Sequence, residues 1–340
     1  MIRYPRAERD VRRRLPASIG ASAMALLVLG VAVTPAAAGG PTVRATVTDG
    51  TLRILGSPHA DNIALRVSPL DRNQLQVDVG DDGSADFAFD LGTFRAINVD
   101  AGNGDDTVRI DDANGAFTTT KTTRIDGGNG DDTLRGGSGN ELFIGGRGND
   151  FVDGNGGADT AFLGAGDDTF VWDPGDGSDI VEGQSGSDTM VFNGSGGNEI
   201  MAATAFFGRV LFTRNLGTIV MDLNGIETID VRALGGTDTV TVNDVTGTDL
   251  ARVNVDLAAA LGGSTGDGLA DTVTVAGTKG NDSIAVDANG AAVQVSGLTA
   301  FVRITHADPA SDSLVIDPVE GADHVAVEPA VNALIQVSVL

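Results

Sequence analysis

The stretch GGNGDDTLRGGSGNELFIGGRGND, residues 127–150, contains nearly the same motif three times: two glycines, a variable residue, a glycine, one further residue and an acid. The motif continues as seven tandem units, six of nine residues and one of eleven. The units span 127–135, 136–144, 145–153, 154–162, 163–171, 172–182 and 183–191. Their acids are Asp132, Glu141, Asp150, Asp159, Asp168, Asp179 and Asp188, and an apolar residue follows two positions after each acid.

Each part of the unit has a physical role. Glycine reaches the backbone angles of a tight loop without steric cost, so a glycine-rich loop can aim several carbonyl oxygens at one point. Hard divalent cations prefer carbonyl and carboxylate oxygens. The apolar residue closes a short strand and is buried when successive turns stack. The unit-opening Gly127, Gly136, Gly145 and Gly154 and the seven acids are therefore candidate ligands of a hard divalent cation.

The units resemble the G-G-x-G-x-D-x-U-x nonapeptides of the RTX, or hemolysin-type, calcium-binding repeat family. The resemblance implies a parallel β-roll with two nonapeptides per turn and Ca²⁺ between neighbouring loops on one edge. It places the loops of Asp132, Asp150, Asp168 and Asp188 on one edge and those of Glu141, Asp159 and Asp179 on the other. The gaps between these loops suggest about five ions. Glu141, Asn155 and Leu163 depart from the motif.

Glycine and aspartate are also typical of disordered linkers. The apolar residue at a fixed place in every unit argues against a linker in the calcium-loaded state, and we expect disorder only in the calcium-free chain.

The flanks carry a weaker form of the pattern. AGNGDDTVR at 101–109 fits the motif and makes Asp106 a further candidate ligand, and GTKGNDSIA at 277–285 fits loosely with Asp282. Farther along, acids recur in pairs eleven residues apart, at intervals that indicate a repeat of roughly 40 residues built from strands and turns. The pairs are Glu227 with Asp238, Asp271 with Asp282, and Asp312 with Asp323.

The sequence therefore predicts an all-β protein: a parallel β-roll or β-solenoid with calcium-binding turns and degenerate β-repeat flanks. The predicted segments are a signal peptide at 1–38, an N-terminal β-repeat flank at 39–125, the calcium-binding β-roll at 126–192 and a C-terminal degenerate β-solenoid at 193–340.

Residues 1–38 have the composition of a secretory signal peptide. Six arginines precede a short apolar run, and Ala36-Ala37-Ala38 gives a small-residue cleavage site. The run is shorter than the roughly 20 residues that span a bilayer, and no later segment is long enough to do so. The chain has no cysteine, which argues against a disulfide scaffold or a thiol site. Its net charge of -25 argues against nucleic-acid binding and in favour of cations as partners. We expect a secreted, extracellular protein. The sequence does not identify a protein or glycan partner.

The sequence gives little support for catalysis. Gly262-Gly-Ser-Thr-Gly266 fits G-x-S-x-G, and Asp271 or Asp282 with His306 or His324 would complete a hydrolase triad. That motif needs a strand before Ser264 and a helix after it, and the surrounding sequence predicts neither. There is no H-E-x-x-H zinc motif. We expect a non-enzymatic calcium-binding protein with a structural or interaction role.

Two alternatives remain open. One is a β-helix enzyme that acts on polysaccharide, with the repeat array as its stabilising module. The other is an adhesin or ice-binding face, suggested by the threonine-rich stretch at 118–123.

Trp172 opens the eleven-residue unit WDPGDGSDIVE. If Asp179 joins the row of loop acids opposite Asp159, the loop must hold this indole against the turn below it. Phe162 and Leu163 are the candidate contacts there.

Overall fold

The computed structural model describes residues 42–340, so the predicted signal peptide at 1–38 lies outside the described residues. The fold is all-β, with 51% of the described residues in strands. Four short 3-10 segments occur in the described part, at Leu91–Thr93, Thr118–Thr120, Leu216–Thr218 and Pro329–Ala333. None of the helices found there is long and apolar enough to cross a membrane.

The strands are numbered β1 to β28 in chain order. They span, in that order, Arg44–Thr48, Thr51–Leu55, Asn62–Val67, Gln74–Val79, Phe87–Asp90, Ala96–Asn103, Thr107–Asp111, Thr122–Asn129, Thr133–Arg135, Glu141–Arg147, Phe151–Asp153, Thr160–Ala165, Thr169–Trp172, Ile180–Ser185, Thr189–Ser195, Ile200–Phe206, Arg209–Arg214, Ile219–Asn224, Thr228–Leu234, Thr239–Val242, Arg252–Asp256, Thr272–Ala276, Ser283–Asn289, Ala292–Ser296, Phe301–Thr305, Ser313–Asp317, His324–Val327 and Gln336–Val339.

The strands form two sheets of 14. The first sheet has the order β1-β2-β6-β8-β10-β12-β14-β18-β17-β16-β20-β22-β26-β28. The second has the order β27-β23-β24-β25-β21-β19-β15-β13-β11-β9-β7-β3-β4-β5. From β6 to β15 the chain alternates between the two sheets, and each strand pairs in parallel with the next strand of its own sheet. This alternation is a parallel β-roll, which confirms the predicted fold class.

The repeat length sets the register of the roll. Leu142 pairs with Thr160 and Phe151 with Thr169, so one turn of the roll takes two nonapeptides. The inward residues of the two sheets are the apolar residues that the motif places after each acid, and all are 0% exposed. They are Leu134, Phe143, Val152, Ala161, Phe170, Val181 and Met190. Burying one such leucine, valine or phenylalanine stabilises the fold by about 1.5–3 kcal/mol.

In the flanks, antiparallel excursions lengthen several turns, and long loops such as 257–271 lengthen others. Three three-stranded meanders occur, β3-β4-β5 and β23-β24-β25 in the second sheet and β16-β17-β18 in the first. The β16-β17 hairpin turns at Phe207 and Gly208, both with positive φ, as the twist of a two-residue hairpin loop requires. Beyond β20, turns of 33 and 41 residues replace those of 18, which is the repeat of roughly 40 residues that the sequence indicates.

The two sheets run without a break through the three predicted segments. The boundary expected at 125/126 falls inside β8 (Thr122–Asn129), and the one at 192/193 falls inside β15 (Thr189–Ser195). Parallel pairing continues across both boundaries, because β8 pairs with β6 and β10, and β15 pairs with β13 and β19. The flanks and the central roll therefore form one continuous solenoid.

Candidate calcium-binding loops

The motif acids stand where each loop enters a strand. Edge 1 is defined here as the loops that lead into the second sheet, and edge 2 as the loops that lead into the first. Edge 1 carries Asp106, Asp132, Asp150, Asp168 and Asp188, and edge 2 carries Glu141, Asp159 and Asp179. All eight side chains are buried, at 1–3% exposure. Carboxylates this deeply buried need partners or counter-charges.

One oxygen of each carboxylate on edge 1 is held by the neighbouring turn. The backbone N–H of Asp132 donates to Oδ1 of Asp150 at 2.8 Å, and the N–H of Asp150 donates to Oδ1 of Asp168 at 2.7 Å. The same bond links Asp106 to Asp132 and Asp168 to Asp188. On edge 2 it links Glu141 to Asp159 and Asp159 to Asp179. The stacked loops thus fix each carboxylate in one orientation. We call a row of acids linked by these N–H-to-carboxylate bonds an acid ladder.

The second carboxylate oxygen is, in most of these acids, buried without a partner. Such oxygens are Oδ2 of Asp106, Asp132, Asp150, Asp159, Asp168 and Asp188, together with Oε1 of Glu141. A buried acceptor without a donor costs about 1–3 kcal/mol, more when it is charged. A regular row of them among the described residues fits a row of sites for a cationic ligand.

The unit-opening glycines frame the space beside these oxygens. A Cβ on Gly145 would lie 2.5 Å from Oδ2 of Asp150 and would collide with the carbonyl oxygen of Leu163. A Cβ on Gly127 would lie 2.8 Å from the carbonyl oxygen of Gly145 and would collide with the carboxylate of Asp132. Carboxylate and next-turn carbonyl oxygens therefore border the same small space, which any side chain on the glycine would fill.

The other two predicted glycines occupy equivalent positions on edge 2. A Cβ on Gly136 would meet Oε2 of Glu141 at 2.8 Å and the carbonyl oxygen of Gly154, and a Cβ on Gly154 would collide with the carboxylate of Asp159. The carboxylate and carbonyl oxygens beside these glycines are the ligand types that Ca²⁺ takes.

Carbonyls must supply most of the ligands at any such site. Nowhere in residues 42–340 do three or more histidine, cysteine, aspartate or glutamate side chains converge as a metal-binding group. A zinc site built from nitrogen and sulfur ligands does not fit this donor set, whereas a calcium site with one or two carboxylates and several carbonyls does.

Burial controls the electrostatics of the ladder. The pKa of Asp132 and Asp150 is raised to about 7 and that of Asp159 to about 9. Burial is the main cause, the backbone hydrogen bonds lower the pKa, and neighbouring carboxylates contribute to raising it. Burial also raises the pKa of Asp106, Asp179 and Asp188 to about 6. The pKa values of Glu141 and Asp168 are raised for the same reason. A metal-free ladder at neutral pH must therefore hold protons or bear uncompensated charge.

A second, exposed ladder runs beside the first and is formed by the residues at the fifth position of the units. The N–H of Asn149 donates to Oδ1 of Asp131 at 2.7 Å, and the N–H of Asp167 donates to Oδ1 of Asn149 at 2.8 Å. Asparagine and aspartate serve equally at this fifth position, because each bond needs only an oxygen acceptor. The outer ladder requires no negative charge.

The ladder also includes acids that the sequence analysis did not assign to a site. On edge 1 the N–H of Asp61 donates to Oδ1 of Asp106, and the N–H of Asp188 donates to Oε2 of Glu227. On edge 2, Glu199 precedes β16 in the loop GSGGNE, residues 194–199. The signal for Glu199 was present, since GSGGNE has the glycine content and the acid spacing of a repeat loop.

Of the three departures from the motif, Glu141 is a ladder acid, whereas Asn155 and Leu163 stand at glycine positions of their units. Glu141 keeps one oxygen free while the other accepts the N–H of Gly137 at 2.9 Å. Asn155 adopts a φ of 54°, which asparagine tolerates, and Leu163 is buried while its carbonyl borders the space at Gly145.

The stacking partner of Trp172 is Phe192 and not Phe162, one of the two expected contacts. The indole is fully buried and stacks on Phe192 with a ring separation of 4.1 Å, because Trp172 of β13 is the register partner of Phe192 in β15. Its Nε1–H donates to the carbonyl oxygen of Gly177 at 2.8 Å. Phe162, on the other sheet, is 36% exposed.

The residues of the G-x-S-x-G stretch do not form the hydrolase arrangement considered above. Ser264 lies in the loop between β21 and β22, with a strand after it in place of a helix. Nδ1 of His306 lies 2.6 Å from Oδ1 of Asp256, whereas Asp271 and Asp282 accept backbone N–H groups.

Stacked turns, buried carboxylates and oxygen-lined glycine pockets define a β-roll of the calcium-binding type. The model of the RTX calcium-binding nonapeptide repeat matches the chain in four copies, over residues 124–140, 135–170 and 175–190. Residues 124–190 thus carry RTX repeats, which confirms the predicted resemblance and supports calcium binding. No curated protein matches the chain as a relative.

Proposed function

We propose that the chain is a secreted, non-enzymatic calcium-binding protein whose repeat array folds on meeting extracellular Ca²⁺. The folded array would stiffen a surface or matrix component or present an interaction surface at the cell exterior. We assign about five ions to residues 126–192, and the gap between Asp106 and Asp132 is one further position.

The row of partnerless carboxylate oxygens carries this proposal. At Asp132 and Asp150 this oxygen borders a space that a carbonyl oxygen of the next turn also lines, so a cation there would satisfy groups that no donor among the described residues reaches. Because an ion binds this arrangement only when the loops are stacked, its binding free energy contributes to folding.

Secretion rests on the sequence of residues 1–38 and on the calcium supply. Sensor-type calcium sites respond at micromolar concentrations, whereas extracellular modules bind Ca²⁺ with dissociation constants of about 10⁻⁴–10⁻³ M. A fold that depends on several such ions forms outside the cell, after export of the unfolded chain.

The proposal of a non-enzymatic role has support from the placement of the acids. Glycoside hydrolysis needs two carboxylates facing a substrate across a cleft. The ladder carboxylates are instead buried and bonded to backbone N–H groups of the next turn. The family match concerns calcium binding only, so the polysaccharide-degrading alternative is not favoured.

Circular dichroism of the chain without residues 1–38 tests calcium-dependent folding. We expect β-structure to rise when millimolar-order Ca²⁺ replaces chelator. Magnesium at the same concentration is the control and should act weakly, because Mg²⁺ dehydrates reluctantly and demands octahedral geometry. An identical spectrum in chelator and in Ca²⁺ would contradict the proposal.

A further inference from the structure

A separate acid ladder lies beyond the repeats. In the C-terminal flank, the N–H of Glu199 donates to Oδ1 of Asp238 at 2.8 Å, that of Asp238 to Oδ1 of Asp271 at 2.8 Å, and that of Asp271 to Oδ1 of Asp312 at 3.0 Å. All four acids are buried and all stand on edge 2. Edge 2 thus continues well beyond residue 190, where the family match stops.

The two terminal acids of this flank ladder have partners for their second oxygen. The guanidinium of Arg214, 8% exposed, forms a salt bridge with Oε1 of Glu199, and the N–H of Ser195 donates to Oε2 at 3.0 Å. The N–H of Asp308 donates to Oδ2 of Asp312 at 2.7 Å. These acids are neutralised or bonded by the protein itself and need no ion.

Asp238 differs from both. Its side chain is 1% exposed, and Oδ2 has no hydrogen-bond partner among the described residues. A buried Oδ2 without a partner also occurs inside the repeats at Asp168, whose loop opens with Leu163 where the loop of Asp238 opens with Ala233. Burial first, and then the charges of Asp271, Glu199 and Asp267, raise the pKa of Asp238 to about 7, so the surrounding field is negative.

The loops at Asp238 are also of the repeat type. Residues 194–199, 233–238 and 266–271 read GSGGNE, ALGGTD and GDGLAD, each six residues long and ending in the ladder acid. They are stacked closely: a Cβ on Gly236 would lie 2.6 Å from the carbonyl oxygen of Gly197. The N–H of Gly236 donates to Oδ2 of Asp267 at 2.8 Å, which joins the 233–238 loop to the loop that follows it.

We propose that Asp238 binds a calcium ion between the loops 233–238 and 266–271, outside the nonapeptide repeats. Asp238 Oδ2 supplies one ligand, the adjacent carboxylates supply negative charge, and the loop carbonyls supply the remaining oxygens, as hard cations require. The flank is then a calcium-dependent part of the solenoid rather than a passive cap.

Counting the bound ions by native mass spectrometry in Ca²⁺ tests the proposal. Asp238→Asn keeps an acceptor for the N–H of Glu199 and removes the charge, so we expect one calcium fewer per chain than in the wild type. Asp282→Asn is the matched control in the same flank, because both oxygens of Asp282 already bond to Thr278, and its ion count should not change.

Equal ion counts in the wild type and Asp238→Asn would overturn the proposal, as would an equal loss in both variants, since that loss would be structural. A wild-type chain without any bound calcium would instead contradict the function proposed for the repeats. A crystal structure of the wild type in Ca²⁺ provides the second measurement: an ion is expected within about 2.3–2.6 Å of Asp238 Oδ2, and its absence there refutes the assignment even if Asp238→Asn fails to fold.

Discussion

Replacing Asp150 by asparagine should have opposite effects on the calcium-free and the calcium-loaded protein. In the calcium-free fold, Oδ1 of Asp150 accepts the N–H of Asp132, while Oδ2 borders the space beside the carbonyl oxygen of Leu163 and has no donor. Asparagine keeps the first acceptor and directs an N–H₂ donor, in place of an anion, at the oxygen-lined space.

The size of the effect follows from the pKa of Asp150, which burial raises from its ordinary value of 3.8 to about 7. A raised carboxyl pKa means that the stability of the calcium-free fold is fully present below pH 3.8 and is lost as the pH rises through 7. At 1.36 kcal/mol per pH unit, ionised Asp150 costs the fold on the order of 4 kcal/mol at pH 8. The asparagine side chain of the variant carries no such cost at any pH.

Urea denaturation in chelator, followed by circular dichroism at pH 8 and pH 5, measures this difference. We expect Asp150→Asn to be more stable than the wild type by up to about 4 kcal/mol at pH 8 and by roughly 2 kcal/mol at pH 5. If the calcium-free wild type lacks β-structure at pH 8, the same gain appears as β-structure recovered in the variant. In saturating Ca²⁺ the order reverses, because the variant has lost a charged ligand.

Asp131→Asn is the control, because it removes the same charge one turn earlier from the exposed outer ladder and keeps the acceptor for the N–H of Asn149. Its effect should stay within about 0.5 kcal/mol. A destabilised Asp150→Asn in chelator, or equal effects of the two substitutions, would show that burial of the inner carboxylate does not control calcium-free stability.

Three further predictions concern fluorescence, the flank salt bridge and proton release. Tryptophan emission should shift to the blue on Ca²⁺ addition, because Trp172 becomes buried against Phe192. Phe192→Ala should reduce this shift. An unchanged shift in that variant would exclude the stacking. Arg214→Ala should lower the free energy of unfolding by about 3–5 kcal/mol, since it leaves Glu199 buried and unpaired; a thermal melt unchanged from wild type would contradict this. Calcium binding at pH 7 should release protons, because Asp132 has a pKa of about 7 when metal-free, and calcium affinity should fall from pH 8 to pH 5. Calorimetry in buffers of different ionisation enthalpy measures the protons released. No release at pH 7 would show that the acids are already ionised.

Much of the fold follows from one-dimensional spacing. A nine-residue unit with one inward apolar residue predicts alternating short strands, and the model pairs them in parallel. The acid pairs eleven residues apart have an equally simple basis. Asp271 precedes β22 of the first sheet and Asp282 precedes β23 of the second, so each pair marks the two edges of a single turn.

The contacts of the second carboxylate oxygen could not be predicted in this way. Asp238 and Asp312 have similar local sequences, each an acid before a β-branched strand, yet Oδ2 is free in Asp238 and bonded to the N–H of Asp308 in Asp312. Glu199 is neutralised by Arg214, which reaches it only because β17 folds back beside β16. The spacing of residues along the chain does not show where a strand folds back beside its neighbour.

The repeat, the inward apolar row and the positions of the loop acids can therefore be predicted from the sequence, because a period of nine residues imposes all three locally. Which loop stacks on which depends on long-range strand pairing, since the intervals between successive ladder acids range from 18 residues in the roll to 45 at Asp61. That stacking determines whether a buried carboxylate oxygen meets an N–H group, a guanidinium or a space that a cation can fill.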